Sequence, residues 1–364
     1  MDNFNVKEAT IKIIGVGGAG GNTIDNIYAH TFKNVDLIVA NTDVQALKRN
    51  HAPIKISLGE NLTRGLGAGG DPEKGMRAAK ESLPDIEDCL RGADLIIITG
   101  GMGGGTGTGG IPVIAEAAKK LNSLVMAVVT KPFKGEGNFK VELAEKSIEE
   151  LKPNVDAMII IPNDRLLTLS SDITSKDAFK QADNVLIETL TGITDIITTA
   201  STINVDFADI ESILRKSGTA LVGIGNGSGV NRHMEAIKKA LNFPLIENAD
   251  IHNAKGLISF FKCNDNFKAK ELQEVMDFLN KKVSNPSVKI KFGVCLDNSL
   301  PESDISITLI ASGFGYENNG LDVSRKHLLK MDVEPCIENT EVEQTDKMNI
   351  NKPAYLRRKT SILD

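Results

Sequence analysis

Residues 100–110 read GGMGGGTGTGG, eight glycines in eleven positions. Glycine loses more conformational freedom on folding than any other residue, so a folded chain concentrates it only where backbone must come close to something. The run is entered from DLIIIT (94–99) and left through IPVIAEAAKKLNS (111–123). The first is apolar on both faces, as buried parallel strands are. The second places Ile114, Ala117, Ala118 and Leu121 at helical spacing, with Pro112 expected in the first turn, where its missing N–H does no harm. A glycine loop between the carboxyl end of a strand and the amino end of a helix is where open α/β sheets bind ligands. Free amides and the helix dipole attract an anion there.

Similar Ile- and Val-rich runs occur at 11–16, 36–41, 124–130 and 156–161, alternating with helical patterns. They predict an α/β fold built on a doubly wound, mostly parallel sheet over residues 1–174. Residues 175–200 form one long helical pattern. A smaller α+β domain follows at 201–315, with candidate strands ALVGIG, GLISFF, VKIKFGVCL and SDISITLIAS and helical patterns at 232–241 and 268–283. Residues 316–351 are mostly polar and aperiodic, which reads as a disordered linker. Residues 352–364 recover apolar and basic character.

Composition narrows the function. The chain has 364 residues, 41% of them apolar, enough for about two cores. Cys89, Cys263, Cys295 and Cys336 lie far apart with no CxxC pair, which reads as reduced thiols and not as a disulfide or zinc framework. The first residues carry no apolar run of signal-peptide type and no segment is long enough to span a membrane, so a cytoplasmic protein is expected. The net charge is −6 with lysine and arginine scattered among acids, so no nucleic-acid partner is expected. The anion at the glycine loop should be a small molecule.

Two further glycine clusters bear on which one. IKIIGVGGAGGN (11–22) contains Gly15-x-Gly17-x-x-Gly20, with Asp43 after the next strand. That spacing matches a dinucleotide fingerprint and leaves an NAD-dependent oxidoreductase open. GLGAGGDPEKG (65–75) precedes another helix, for which Asp71-Pro72 makes a plausible start. Three glycine loops on one sheet edge exceed what a pyrophosphate needs and suit a triphosphate. No GxxxxGK[ST] is present, which argues against a P-loop enzyme with its phosphate-binding lysine.

The segment GGGTGTG (103–109) resembles the tubulin signature. The motifs from about residue 11 to 314, with the tail, resemble the FtsZ family of bacterial tubulin-like cell-division GTPases. The resemblance implies a tubulin-like GTPase domain joined by a long central helix to a smaller α+β domain. It also implies bound GTP or GDP, with Mg2+ held mainly through phosphates and water. Phosphates would meet Gly18, Ala19, Gly20, Gly21 and Asn22, and Gly105, Thr106 and Gly107, with Ala68, Gly69 and Gly70 near the γ-phosphate. Glu136 would bind ribose, and Asn163, Phe179 and Asn184 would read or stack on the base. Lys140 stands where many relatives carry arginine, a point charge without the planar fork.

INVDFADIESIL (203–214) resembles the family's catalytic loop, which implies that Asn204, Asp206 and Asp209 reach the nucleotide of a neighbouring subunit. Read alone, the two acids look like caps of a helix beginning near Ile210. The resemblance implies a head-to-tail homopolymer, at the mid-cell division site, whose assembly switches on hydrolysis. PAYLRR (353–358) resembles the family's tail peptide, which implies that Pro353, Tyr355, Leu356 and Arg357 dock onto membrane-tethering division proteins. A non-hydrolysing structural filament paralogue is the further alternative.

Overall fold

The computed structural model describes residues 8–30, 32–169, 174–199, 201–243, 251–283, 285 and 287–314. The chain divides into two units, 1–320 and 321–364, and the described residues all belong to the first. The expected linker and tail peptide lie outside the described residues.

The chain runs through β1 (Ile11–Val16), α1 (Gly17–Ile27), β2 (Val35–Asn41), α2 (Val44–Arg49), β3 (Ile54–Ser57), α3 (Glu60–Thr63), α4 (Pro72–Glu81) and α5 (Leu83–Leu90). It continues with β4 (Leu95–Gly101), α6 (Thr106–Lys119), β5 (Leu124–Lys131), α7 (Asn138–Leu151) and β6 (Ala157–Pro162). Then come α8 (Ser175–Thr198), α9 (Phe207–Leu214), β7 (Gly218–Ser228), α10 (Arg232–Leu241), β8 (Gly256–Cys263), α11 (Ala269–Lys282), β9 (Lys289–Leu296) and β10 (Asp304–Ser312). Among these residues one sheet has the order β3-β2-β1-β4-β5-β6-β7-β10-β8-β9. It is parallel from β3 to β7, β10 is antiparallel to both its neighbours, and β8 and β9 are again parallel.

Apolar residues on both faces make the parallel half a buried layer. On β1, Ile11 and Ile13 join a core with Ile24 of α1 and Leu186 and Leu190 of α8. Ile14 and Val16 join the opposite core with Ile86 of α5, Ile114 of α6 and Ile148 of α7. A third core packs α10 and α11 onto β8 and β10, through Ile237, Val275, Phe261 and Leu309. The two halves of the sheet meet in a short ladder, Ala157 with Gly218 and Met158 with Thr219. Helix α8 has 24 residues, about 36 Å of rise. Its Leu190 and Ile193 share a core with Ile210 and Ile213 of α9, so it packs against both halves.

Two expectations are corrected. Helix α6 starts at Thr106, so Pro112 lies inside it and not in its first turn. The carbonyl left without a helical donor is that of Thr108, and it accepts instead from the Ser147 hydroxyl of α7 at 2.6 Å. Helix α9 starts at Phe207, not near Ile210. The sequence-adjacent strands β9 and β10 do not pair, because β8 lies between them.

Candidate functional site

The carboxyl ends of β1, β4, β5 and β6 open into a cleft of about 320 Å3. Its floor is backbone: Val16, Gly18 and Ala19 where β1 turns into α1, and residues 101–107 where β4 turns into α6. Both helices begin at the cleft without a side-chain cap. Their first amides are therefore free for an anion, and both dipoles point the same way. By contrast, α4 and α2 are capped. Asp71 accepts from the amides of Glu73 and Lys74, and Asp43 from those of Gln45 and Ala46. The carboxylate that a dinucleotide fingerprint would offer to a ribose is thus committed to a helix end.

The glycines divide into two groups. A Cβ on Gly104 or Gly18 would meet nothing within 4 Å, so these positions face open cleft. A Cβ on Gly107 would lie 2.5 Å from the Gly101 carbonyl oxygen, and one on Gly109 2.5 Å from the Met76 amide of α4. The close approach read from the sequence as room for a ligand is therefore, at these two positions, room for the protein's own backbone.

Polar and aromatic groups line the far wall. Asn163 is 7% exposed, and its Oδ1 has no hydrogen-bond partner among the described residues. Phe179, nearly half exposed, packs edge-on against Phe133 with centroids 5.0 Å apart. Glu136 accepts from the Phe133 amide at 3.0 Å and from Lys140 Nζ at 3.1 Å. Burial pushes the Asp183 carboxyl above the ordinary aspartate range. Thr106 is held from behind by the Thr42 hydroxyl at 2.7 Å.

The cleft brings together Gly18, Ala19, Gly105, Thr106, Gly107, Glu136, Lys140, Asn163 and Phe179. Other expected residues do not line it. Gly20 serves packing, since a Cβ there would lie 2.6 Å from the Thr99 carbonyl oxygen. Gly21 is buried and its carbonyl accepts from Asn50, while Asn22 is exposed. Ala68 is buried beside Gly105, and Gly69 and Gly70 hold left-handed backbone where a Cβ would meet nothing within 4 Å. Asn184 is exposed on α8, and Asp183 takes the place at the cleft. Helical geometry gives the reason: Asp183 is four residues from Phe179 and shares its face, whereas Asn184 is rotated about 100° further. Asp183, Thr130, Pro132 and Ala182 are lining residues not singled out in the sequence.

Asn204, Asp206 and Asp209 lie elsewhere. Asp206 occupies the N-cap position of α9 but makes no capping bond with its side chain. The Asn204 Oδ1 accepts from the Ser201 amide at 2.9 Å. Asp209 pairs with Lys291 at 2.8 Å. The carboxyl end of α9 touches Asp156, with Arg215 Nη1 at 3.8 Å, just before the amino end of β6. The cleft begins at the other end of that strand, about 20 Å away.

The family model described as "FtsZ family, C-terminal domain" matches residues 218–315, and that of the "Tubulin/FtsZ family, GTPase domain" matches residues 10–171. The chain is 45% identical over 311 residues to the cell division protein FtsZ of Neisseria gonorrhoeae, covering 85% of this chain and 79% of that one. This chain belongs to the FtsZ family. The FtsZ of Neisseria meningitidis serogroup A gives the same identity and coverage. Among solved structures, an empty FtsZ dimer from M. jannaschii superposes with a TM-score of 0.80 at 38% identity, over 85% of this chain and 90% of that one. CetZ1 from Haloferax volcanii, a GDP-bound monomer, shares the fold at a TM-score of 0.73 and 19% identity, over 84% of this chain and 94% of that one. As an FtsZ-family protein the chain is a GTP-dependent cell-division GTPase with a tubulin-like α/β fold, and neither an oxidoreductase nor a non-hydrolysing paralogue finds support. Among the described residues no helix is long and apolar enough to cross a membrane.

Proposed function

We propose that GTP lies with its phosphates on the free amino ends of α1 and α6 and its base against Phe179, Asn163 and Asp183, and that a second copy of the chain completes the hydrolytic site. The first part is supported by the fit of the cleft. Two uncapped helix ends suit phosphates, and the buried, unpartnered Asn163 Oδ1 lacks a donor that the exocyclic amino group of guanine supplies. Glu136 and Lys140 sit where ribose and phosphate oxygens would pass. In this reading the working boundaries are a GTP-binding domain at 1–174, a central helix at 175–200 and an α+β domain at 201–315.

One observation carries the second part. Helix α8 lines the cleft with Phe179, Ala182 and Asp183 and ends at Thr198, about 22 Å of rise beyond Asp183, and Asn204, Asp206 and Asp209 follow that far end, so neither half-site reaches the other within one chain. Head-to-tail contact brings the acids of one copy to the triphosphate of the next. Such a heterologous joint, without rotational closure, grows a filament. At the joint Asp206 and Asp209 orient the attacking water, while the amides of α1 and α6 stabilise phosphate charge. Mg2+ arriving on the phosphates would supply further charge neutralisation. Loss of the γ-phosphate removes contacts at the joint and weakens it.

The filament would work in the cytoplasm at the mid-cell division site. The tail residues Pro353, Tyr355, Leu356 and Arg357, beyond a linker at 316–351, would bind membrane-tethering division proteins as a short segment that folds on contact. Deleting residues 352–364 should abolish tether binding and spare GTP hydrolysis.

The deciding experiment is GTP hydrolysis per subunit across a range of protein concentrations, with light scattering recorded on the same samples. A threshold above which both rise together is expected. Turnover independent of concentration would show a self-contained site.

A further inference from the structure

The acidic loop is tied to the edge of the sheet at two points. Through backbone, Thr202 and Ile203 donate to the Val294 carbonyl at 2.9 and 3.2 Å, and Val294 donates back to Ile203 at 3.0 Å. Gly293 fits beneath them, since a Cβ there would lie 3.0 Å from Val205. Two residues earlier on the same face of β9, Lys291 reaches across to Asp209 with Nζ 2.8 Å from Oδ1. Strand β9 is the last in the sheet, so its register fixes both ends of the segment.

The charges around this contact are unbalanced. Asp206, Asp209 and Glu211 follow within six positions, and Glu211 is already paired with Arg215. The Asp206 side chain makes no capping bond, and of the two acids of the proposed site it is Asp209 that Lys291 contacts. A triphosphate approaching two bare carboxylates would meet like charge. With one of them paired, that repulsion falls and the direction of the carboxylate is fixed.

We propose that Lys291 is a positioning residue for hydrolysis, holding and neutralising Asp209 so that the acidic segment can meet the triphosphate carried by the next subunit. This rests on the reading of Asp209 as part of the shared site. Lys291 acts through Asp209 and performs no proton transfer of its own. Its side chain is 44% exposed, so its replacement leaves no buried hole.

The test compares Lys291→Gln, Lys291→Arg and Asp209→Asn in the full-length chain, measuring kcat and KM for GTP and the assembly threshold in the slowly hydrolysed analogue GMPCPP. Lys291→Gln should lower kcat per assembled subunit about tenfold with KM little changed, since a misaimed reacting group is costly even when binding is intact. Lys291→Arg should restore most of kcat. In the Asp209→Asn background, Lys291→Gln should leave the GMPCPP threshold unmoved, as expected if the two side chains act as one unit. If Lys291→Gln turns over like the wild type while Asp209→Asn is inactive, the role of Lys291 is overturned and the shared site stands. If Asp209→Asn is as active as the wild type, the underlying reading falls. A GMPCPP threshold that Lys291→Gln raises by the same factor with and without Asp209 would also overturn the proposal.

Discussion

The Ser147 hydroxyl donates to the Thr108 carbonyl at 2.6 Å, across the packed pair α7 and α6. Both residues are 3% exposed, and the acceptor is the carbonyl that Pro112 deprives of its helical donor. Ser147→Ala should therefore leave a buried acceptor unsatisfied and cost about 1–3 kcal/mol in denaturant unfolding. Pro112→Ala supplies an amide to the same carbonyl, so in the Ser147→Ala background it should recover much of the loss. An additive double mutant would show that the two groups do not share this acceptor.

What the sequence revealed follows from how each signal arises. The runs at 11–16, 124–130 and 156–161 were legible because both faces of those strands are largely buried, which forces a nearly continuous apolar sequence. Strand β3, Ile54–Ser57, was not, because it is a four-residue edge strand with Lys55 exposed. The start of α6 was hidden by composition: TGTGG is a poor helix former, and packing against α4 overrides that preference. At the cleft, the strand-to-helix loops announced themselves through glycine, whereas Asp183 was masked by the neighbouring Asn184. Counting four residues on from Phe179 separates the two.

The division of the glycines makes opposite predictions for two alanine substitutions. At Gly109 a methyl group would collide with the Pro72 carbonyl, so Gly109→Ala must push α4 from α6. It should destabilise the protein by about 1–3 kcal/mol or more. At Gly104 the same methyl meets nothing, so Gly104→Ala should unfold at the wild-type denaturant concentration while GDP binds more weakly. Calorimetric titration with GDP beside unfolding curves separates the two effects. Unchanged GDP affinity in Gly104→Ala would move the phosphates away from that loop.

Burial raises the Asp183 carboxyl above its ordinary value of 3.8, and the sign of the consequence differs for folding and binding. For an acid raised in the folded state, the contribution to stability is present below the unfolded-state value and is lost as pH rises through the folded one. Asp183→Asn should thus stabilise the empty protein at neutral pH and not in acid. Guanine favours the ionised form, which accepts from its N1–H and amino group. GDP affinity should therefore be full at neutral pH and fall as pH drops through the raised value, earlier than an exposed aspartate would allow. Asp183→Asn should flatten that dependence and weaken binding about 10- to 100-fold, the scale of a charged hydrogen bond. A wild-type pH profile in Asp183→Asn would remove Asp183 from base recognition.

If the nucleotide and the acids of each working site come from different copies, two inactive variants should complement each other. Asp209→Ala keeps the cleft intact and lacks the acid, so it should bind GTP and show no turnover. Asp183→Asn, assayed at a GTP concentration too low to load its own cleft, keeps Asp206 and Asp209. In a mixed filament a complete site forms wherever an Asp209→Ala subunit presents its GTP to the acids of an Asp183→Asn subunit. For random equal mixing that is about one joint in four. Turnover should appear on mixing and scale with the product of the two concentrations, not with their sum. A site contained within one chain cannot produce this behaviour, because neither variant holds all of its parts, and a mixture as inactive as its components would rule out the shared joint.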